Sequence, residues 1–189
     1  MPESFDIFDT LITRTVGDPH AIFDLCAERL VEARLLADPA VFRPNRIEAE
    51  RRRRFHAPNF EVTLAEIYET LAPAFHWDAE AAVLARECEI AVERACWRPI
   101  NRMLPVVAQA RQRHGAVWFI SDTYLPAALL EADLREFGFF RDGDALFASC
   151  ELRASKHSGR LWGFLPEGRR PAHHTGNDAE ADVRAPRRK

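Results

Sequence analysis

The stretch SFDIFDTLITR, residues 4–14, combines a short apolar run with two acidic residues three positions apart. Residues 5–8 have the composition of a buried parallel strand, which is typically a short apolar run without alternation. A carboxylate at the edge of an apolar core must be compensated by partners. Asp6 and Asp9 are therefore the first candidates for a functional role.

Three further segments predict buried strands. They lie at residues 116–120, 145–149 and 172–175. Helical patterns separate them, at 100–112 and 126–137, and Pro105 is unfavourable inside the first of these helices. Strands and helices that alternate in this order predict an α/β fold, a Rossmann-like, doubly wound parallel sheet with helices packed on its faces.

The segment 18–98 is different, because it contains four helical patterns and no convincing strand. Asp18, Thr63 and Asp78 are candidate N-caps, and Pro19 would occupy a first turn. Arg51 to Arg54 is expected to be a solvated helix face. We therefore predict an all-helical insertion, residues 18–98, after the first strand of an α/β core formed by residues 1–17 and 99–189. Few residues precede the first predicted strand or follow the last one, so we expect either a fragment of a longer protein or a minimal domain.

Composition excludes several classes of protein. The chain has 189 residues, 47% of them hydrophobic, and a net charge of −3, which is typical of a globular protein without a nucleic-acid partner. No stretch approaches the roughly 18 apolar residues of a membrane span, and no secretion signal opens the chain. Four cysteines without metal-site spacing predict reduced, mostly buried thiols and a cytoplasmic location. A small-molecule substrate is expected, and the oligomeric state is left open.

The polar residues that follow the four predicted strands converge on one crevice, because ligands of a doubly wound sheet bind outside the carboxyl ends of its strands. They are Asp6, Asp9 and Thr10; Ser121, Asp122 and Thr123; Ser155 and Lys156; and Gly176, Asn177, Asp178 and Asp182. Together they form a constellation of acids, hydroxyls and one lysine. This crevice is the candidate active site.

In this order the four clusters resemble the motifs of the haloacid dehalogenase (HAD) superfamily of aspartate-nucleophile hydrolases. FDIFDTL resembles the first motif, FISDT the second, SKHSGRLW the third and HTGNDAEADV the acidic fourth. The helical insertion is similar to the mobile cap that this family carries between its first two motifs. The segments FDIFDTLITR, SDTYLP and SKHSGRLW are most similar to those of a bacterial branch of this superfamily. Some members of that branch are attached to glycosyltransferases of surface-polysaccharide synthesis.

The resemblance implies a hydrolase, and within that class a Mg²⁺-assisted phosphatase acting on a small phosphorylated metabolite such as a sugar phosphate. It implies four catalytic residues, with the first as nucleophile: Asp6, Ser121, Lys156 and Asp182. It implies substrate binding by Thr10, Asp122 and Thr123. Mg²⁺, which prefers oxygen ligands, would be held by Asp6, the backbone carbonyl of Phe8, and Asn177 or Asp178.

Two departures from the family pattern leave alternatives open. Phe8 occupies the place, two residues after the nucleophile, where phosphatases of the superfamily carry an acid/base aspartate, and Asp9 lies one residue further. Asn177 replaces the first aspartate of the fourth motif. Both changes resemble the metal-independent 2-haloacid dehalogenases, although Asp122 and Asp9 depart from that branch. A dehalogenase-like hydrolase is therefore the second hypothesis, and a non-catalytic HAD-like module of surface-polysaccharide biosynthesis is the third.

The cap would determine which substrates fit, since a segment that closes over a site excludes water and selects by size. Three of its charged residues are candidate substrate contacts, with a surface or capping role as the alternative: His20, Arg43 and Arg46.

Overall fold

The computed structural model describes residues 1–166 and 170–184, and it divides the chain into two compact units. The α/β unit comprises Met1–Thr13 and Arg98–Lys189, and the helical unit comprises Arg14–Trp97. The sequence places the corresponding boundaries at 17/18 and 98/99.

The described residues contain six strands. They are β1 (Glu3–Phe5), β2 (Ile12–Arg14), β3 (Trp97–Pro99), β4 (Val117–Ser121), β5 (Ala145–Ala148) and β6 (His174–Thr175). Four of them form a parallel sheet in the order β5-β4-β1-β6, in which Phe5 is aligned with Phe119 of β4 and with Thr175 of β6. The predicted α/β fold with a parallel sheet is confirmed.

The α-helices occupy most of the remaining described chain. They are α1 (Ala21–Glu32), α2 (Phe42–His56), α3 (Leu64–Leu71), α4 (Ala79–Cys96), α5 (Leu104–His114), α6 (Ala127–Glu136) and α7 (Ser149–Leu152), followed by a π-helical turn at Ala179–Arg184. Pro105 is the second residue of α5, where its missing N–H would have no partner within the helix anyway. The expectation that it disturbs a helix was wrong for this reason.

The core of the sheet is built from the apolar strand β4, whose five residues are all buried. On one face, Trp118 and Ile120 of β4 pack in an apolar cluster with Leu161, Trp162 and Leu165, which follow the short helix α7. This packing brings the chain that follows β5 back against the sheet. The lysine-containing loop, residues 153–160, therefore lies in the same unit as the carboxyl ends of the central strands.

Strand β1 is shorter than the predicted strand at 5–8. It ends at Phe5, and the chain then turns, because the backbone N–H groups of Leu11 and Ile12 both donate to the carbonyl of Ile7. Asp9 has a φ of 55°, a left-handed conformation that Asp tolerates better than most residues. Asp6 is thus the first residue beyond the strand rather than its second member.

The helical unit contains α1 to α4. Thr63 caps α3 in a reciprocal capping box with Glu66, and Asp78 caps α4 by accepting the N–H of Ala81, as predicted. Helix α1 begins two residues later than Pro19, and Asp18 accepts the N–H of His20 rather than capping the helix itself. The short strands β2 and β3, at the division between the units, were missed because three residues show no periodicity.

The cysteines are all free thiols, and Cys26, Cys96 and Cys150 are buried while Cys88 is half-buried. This agrees with the predicted reduced state. Among the described residues, no helix has both the length and the apolar content needed to cross a membrane.

Candidate active site

Asp6 lies at the carboxyl end of the central strand β1, where the sheet topology directs its side chain toward the loops that follow the other strands. Its backbone N–H donates to the carbonyl of Thr175 in β6 at 2.8 Å, which extends the strand pairing by one residue. Its side chain is only 10% exposed. A carboxylate in this position requires compensation.

Lys156 supplies that compensation. Its Nζ donates to Oδ1 of Asp6 and to Oδ1 of Asp182, at 2.5 Å in each case, and its side chain is 3% exposed. The backbone N–H of Lys156 donates to Oδ1 of Asp122 at 2.6 Å, and that of His157 donates to the other oxygen at 3.1 Å. The Asp122 carboxylate therefore holds the lysine loop against the end of β4.

Asp182 is fixed by several contacts besides Lys156. Its Oδ1 lies 3.1 Å from Nε2 of His174, and its Oδ2 accepts the N–H of Asp178 at 2.9 Å. Gly176 makes this position possible, because a Cβ at residue 176 would overlap the Asp182 carboxylate. The glycine of the fourth cluster thus has a steric role.

His174 completes a buried polar chain that sequence reasoning missed. Its Nδ1 lies 2.7 Å from the hydroxyl of Ser4 in β1, so the imidazole bridges Ser4 and Asp182. If its Nε2–H donates to the carboxylate, the neutral ring accepts the Ser4 proton at Nδ1. Two consecutive histidines in a predicted strand, where apolar residues are usual, were the signal available in the sequence.

The pKa values of Asp6 and Asp182, the two aspartates bound to Lys156, are shifted in opposite directions. Burial, opposed by Lys156, raises the pKa of Asp6 to about 6. Burial also raises the pKa of Asp182, but the bonds from His174 and Lys156 outweigh it and hold that pKa well below its ordinary value. Burial lowers the pKa of Lys156, and the two carboxylates overcome this and raise it. The ammonium is therefore shared between one firmly ionised carboxylate and one whose ionisation is costly.

The hydroxyl residues of the first two clusters have different surroundings. Ser121 is the buried last residue of β4. Thr123 is tied to the start of α7, because its N–H donates to Oγ of Ser149 at 3.0 Å while its own Oγ1 accepts the N–H of Leu125. Thr10 is also buried, and its Oγ1 has no hydrogen-bond partner among the described residues. Of the predicted substrate-binding groups, this hydroxyl has the clearest capacity for a ligand.

Asp9 and Asp178 are the acidic neighbours of Phe8 and Asn177, the two positions that depart from the family pattern. Asp9 is exposed, and its Oδ1 lies 3.5 Å from the Thr13 hydroxyl. Asp178 is exposed as well, and its Oδ1 accepts the N–H groups of Glu180 and Ala181 at 2.8 Å, which begins the π-helical turn. Phe8 is half-buried and Asn177 is exposed.

The residue types fit the Mg²⁺ set that the sequence predicts. Within residues 1–166 and 170–184, no three His, Cys, Asp or Glu side chains form a group that could hold a metal ion. Mg²⁺ does not need such a group, because it is commonly bound by one or two carboxylates together with substrate oxygens and water. Asp6, the carbonyl of Phe8, and Asn177 or Asp178 are hard oxygen donors of that kind.

Of the three candidate contacts in the helical unit, Arg46 does not have the surface or capping role that was the alternative to a substrate contact. It is fully buried and donates from Nε and Nη2 to both carboxylate oxygens of Glu89, at 2.8 Å each. Arg43 is bound to Asp18 and Asp24. His20 stacks on Phe23 with the ring centroids 5.6 Å apart.

A parallel sheet with an aspartate just beyond a central strand, a lysine bound to it and a second aspartate bound to that lysine is the arrangement that the resemblance to the HAD superfamily implies. Comparison with solved structures identifies the same fold in 16 matching chains. One is a 2-haloacid dehalogenase from Pseudomonas syringae pv. Tomato DC3000, with a TM-score of 0.68, 16% identity, and coverage of 97% of this chain and 80% of that one.

Another is the HAD-hydrolase YfnB of Bacillus subtilis, in a structure bound to magnesium. Its TM-score is 0.59 at 14% identity, with coverage of 97% of this chain and 82% of that one. No protein-family model matches the chain, and no curated protein matches it by sequence. The chain thus has the fold of the HAD superfamily, and its reaction must be argued from its own residues.

Proposed function

We propose that this chain is an aspartate-nucleophile hydrolase, and specifically a Mg²⁺-assisted phosphatase that acts on a small phosphorylated metabolite. The observation that carries the proposal is the buried contact between Asp6 and Lys156 at the end of the central strand. A buried carboxylate that ionises with difficulty is a poor choice for stability alone. Its position at the usual ligand-binding edge of a doubly wound sheet supports a catalytic role.

The reaction would proceed in two displacements at phosphorus. A carboxylate oxygen of Asp6 attacks the phosphorus, and the bond to the leaving oxygen breaks with its electron pair going to that oxygen, which leaves an aspartyl phosphate. Water then attacks the phosphorus, and the bond from phosphorus to the Asp6 oxygen breaks with its electron pair returning to the carboxylate. Inorganic phosphate leaves with the oxygen and the protons of the water. Lys156 would keep Asp6 ionised before attack and offset charge on the phosphoryl oxygens, and the hydroxyls of Ser121 and Thr10 would bind those oxygens.

Mg²⁺, when bound, would supply charge neutralisation of the phosphoryl group. Its ligands in this chain would be Asp6, the carbonyl of Phe8, and Asn177 or Asp178. YfnB, which has a similar fold, is bound to magnesium in its structure, and this supports the use of Mg²⁺ here. The sequence-level expectation of a sugar phosphate as substrate stays a prediction.

The test is hydrolysis of an aryl phosphate in the presence of Mg²⁺. We expect turnover by the wild-type chain and loss of it in Asp6→Asn, which keeps the shape of the side chain but removes the nucleophile. A matched control is Asp9→Asn, which changes an exposed acid three residues away and should retain activity. Turnover that survives Asp6→Asn would contradict the assignment of the nucleophile.

A dehalogenase is the second candidate, and Phe8 favours it. Halide leaves carbon as a stable anion, so the carbon–halogen bond can break without an acid at the position of Phe8. In this reaction Asp6 would attack carbon, the halide would depart with the bonding electrons, and water would hydrolyse the resulting ester. Halide release from a short 2-haloacid in the presence of a chelator would support this candidate, whereas strict dependence on Mg²⁺ would count against it.

A further inference from the structure

The position two residues after Asp6 offers no carboxylic acid to a leaving group. Phe8, two residues further, has no exchangeable side-chain proton. Asp9 has a left-handed backbone conformation, and its exposed carboxylate lies next to the Thr13 hydroxyl. The sequence leaves open whether Asp9 replaces the missing acid, and the structure gives its carboxylate a different set of contacts.

The other carboxylates of the candidate site are already committed as hydrogen-bond acceptors. Both oxygens of Asp182 are occupied, one by Lys156 and His174 and the other by the backbone of Asp178. Both oxygens of Asp122 accept backbone N–H groups. N–H groups that donate to both oxygens favour the ionised form of a carboxylate, so these contacts do not prepare either side chain to give a proton to a leaving group.

Lys156 is committed as well, since its ammonium group bonds to two carboxylates at 2.5 Å. Loss of a proton from it would break the compensation of the Asp6 charge at the moment when Asp6 must act as an anion. Lys156 is therefore suited to stabilise charge rather than to protonate a leaving group.

Departure of a leaving group that needs a proton would be slow in such a site. An alkoxide is a base comparable with hydroxide, whose conjugate acid has a pKa of about 15.7, whereas a carboxylate is the base of an acid with a pKa of about 4. General acid catalysis typically contributes about 10²–10⁴-fold, and most of that help is needed when the leaving group is strongly basic.

We propose that the phosphoryl donor of this chain is an anhydride of phosphoric acid, an acyl phosphate or a phosphoanhydride, rather than the phosphate monoester of an alcohol. The inference rests on the proposed function and narrows its substrate class. In the first displacement Asp6 bonds to phosphorus, and the bond from phosphorus to the anhydride oxygen breaks. The electron pair leaves with a carboxylate or phosphate anion, so no proton is transferred in that step.

The first experiment uses the wild-type chain with Mg²⁺ and a series of donors, namely acetyl phosphate, pyrophosphate, phenyl phosphate and glycerol phosphate. We expect kcat/KM for the better of the two anhydrides to exceed that for glycerol phosphate by about 10²-fold or more. The comparison of acetyl phosphate with pyrophosphate distinguishes the two kinds of anhydride. Similar kcat/KM values for all four donors would overturn the inference and leave the proposed function standing.

The second experiment restores an acid at the position of Phe8. We expect Phe8→Asp to raise the ratio of kcat/KM for glycerol phosphate to kcat/KM for acetyl phosphate by about 10²-fold. Phe8→Asn is the matched control, because it introduces similar polarity and size without a transferable proton, and it should not rescue glycerol phosphate. Equal effects of both variants on all donors would contradict the role assigned to the missing acid.

The two proposals can fail separately. Absence of turnover and of a phosphorylated Asp6 with every donor would overturn the proposed function and this inference together. Rapid hydrolysis of glycerol phosphate by the wild type, abolished in Asp6→Asn, would overturn only the inference and would reveal an acid supplied from elsewhere in the chain. The wild-type series does not depend on whether the Phe8 variants fold.

Discussion

At the residue scale, Asp6, the proposed nucleophile, carries a cost to the folded state. The Asp6 carboxylate lies at the edge of the core, and Lys156, which compensates its charge, also bonds to Asp182. Burial is the largest influence on its pKa, which is raised to about 6 from an ordinary value of 3.8. Folding therefore favours the protonated form of this side chain.

Replacing Asp6 with Asn should stabilise the fold at neutral and alkaline pH. Because the pKa is higher in the folded chain, ionisation opposes folding above about pH 6, and a rise of about two units corresponds to roughly 3 kcal/mol. The gain should be nearly absent below about pH 3, where wild-type Asp6 is protonated in both states, and should grow between about pH 4 and 6. Urea unfolding in metal-free buffer at several pH values measures it.

The control for this prediction is Asp9→Asn, since Asp9 is exposed and should change the free energy of unfolding little at any pH. A destabilisation by Asp6→Asn that is the same at pH 4 and pH 8 would contradict the prediction. It would mean that the bond from Lys156 to Asp6 outweighs the cost of burial.

Gly176→Ala should displace the Asp182 carboxylate, because the added methyl group would occupy its place. Overpacking of this kind typically costs about 1–3 kcal/mol, and Lys156 would lose one of its two partners. We expect a lower free energy of unfolding together with loss of phosphatase turnover. Gly163→Ala is the matched control, since a Cβ there meets no atom within 4 Å. Full activity of Gly176→Ala would show that Asp182 does not position the lysine.

At the element scale, one buried ion pair connects the helices of the helical unit. Arg46 of α2 bonds to Glu89 of α4, and Glu89 also accepts the hydroxyl proton of Tyr68 from α3 at 2.8 Å. The Arg46 guanidinium lies over the ring of Phe23 in α1, 4.7 Å from its centroid. The four helices thus share one buried polar centre.

Arg46→Met should destabilise the helical unit by about 3–5 kcal/mol, because it leaves the Glu89 charge buried without its partner. The double variant Arg46→Met with Glu89→Met should recover a large part of that loss, since it removes both charges. Arg51→Met is the control, as Arg51 is exposed and pairs only with Glu48 on the same helix. Urea unfolding followed by circular dichroism measures all three. A small effect of Arg46→Met would contradict the role assigned to this ion pair.

At the scale of the whole molecule, the free energy of unfolding should report metal binding independently of catalysis. A ligand that binds only the folded state raises stability by RT ln(1 + [L]/Kd), about 2.7 kcal/mol at one hundred times Kd. We expect Mg²⁺ to raise the Tm of the wild-type chain and not that of Asp6→Asn. Sodium chloride at equal ionic strength is the control. The same shift in both chains would indicate a general salt effect and would favour the metal-independent candidate.

The sequence by itself determined what depends on neighbours along the chain. Thr63 and Asp78 mark helix starts because N-cap bonds span only three residues. The alternation of strands and helices predicts that Asp6, Ser121, Lys156 and Asp182 lie at the ends of successive strands of one sheet. The tertiary structure alone decided which side chains meet, since Asp6 and Lys156 are 150 residues apart. It also decided the end of β1 at Phe5, the bridge through His174 and the burial of Arg46. These depend on strand pairing and helix packing, which local pattern does not encode.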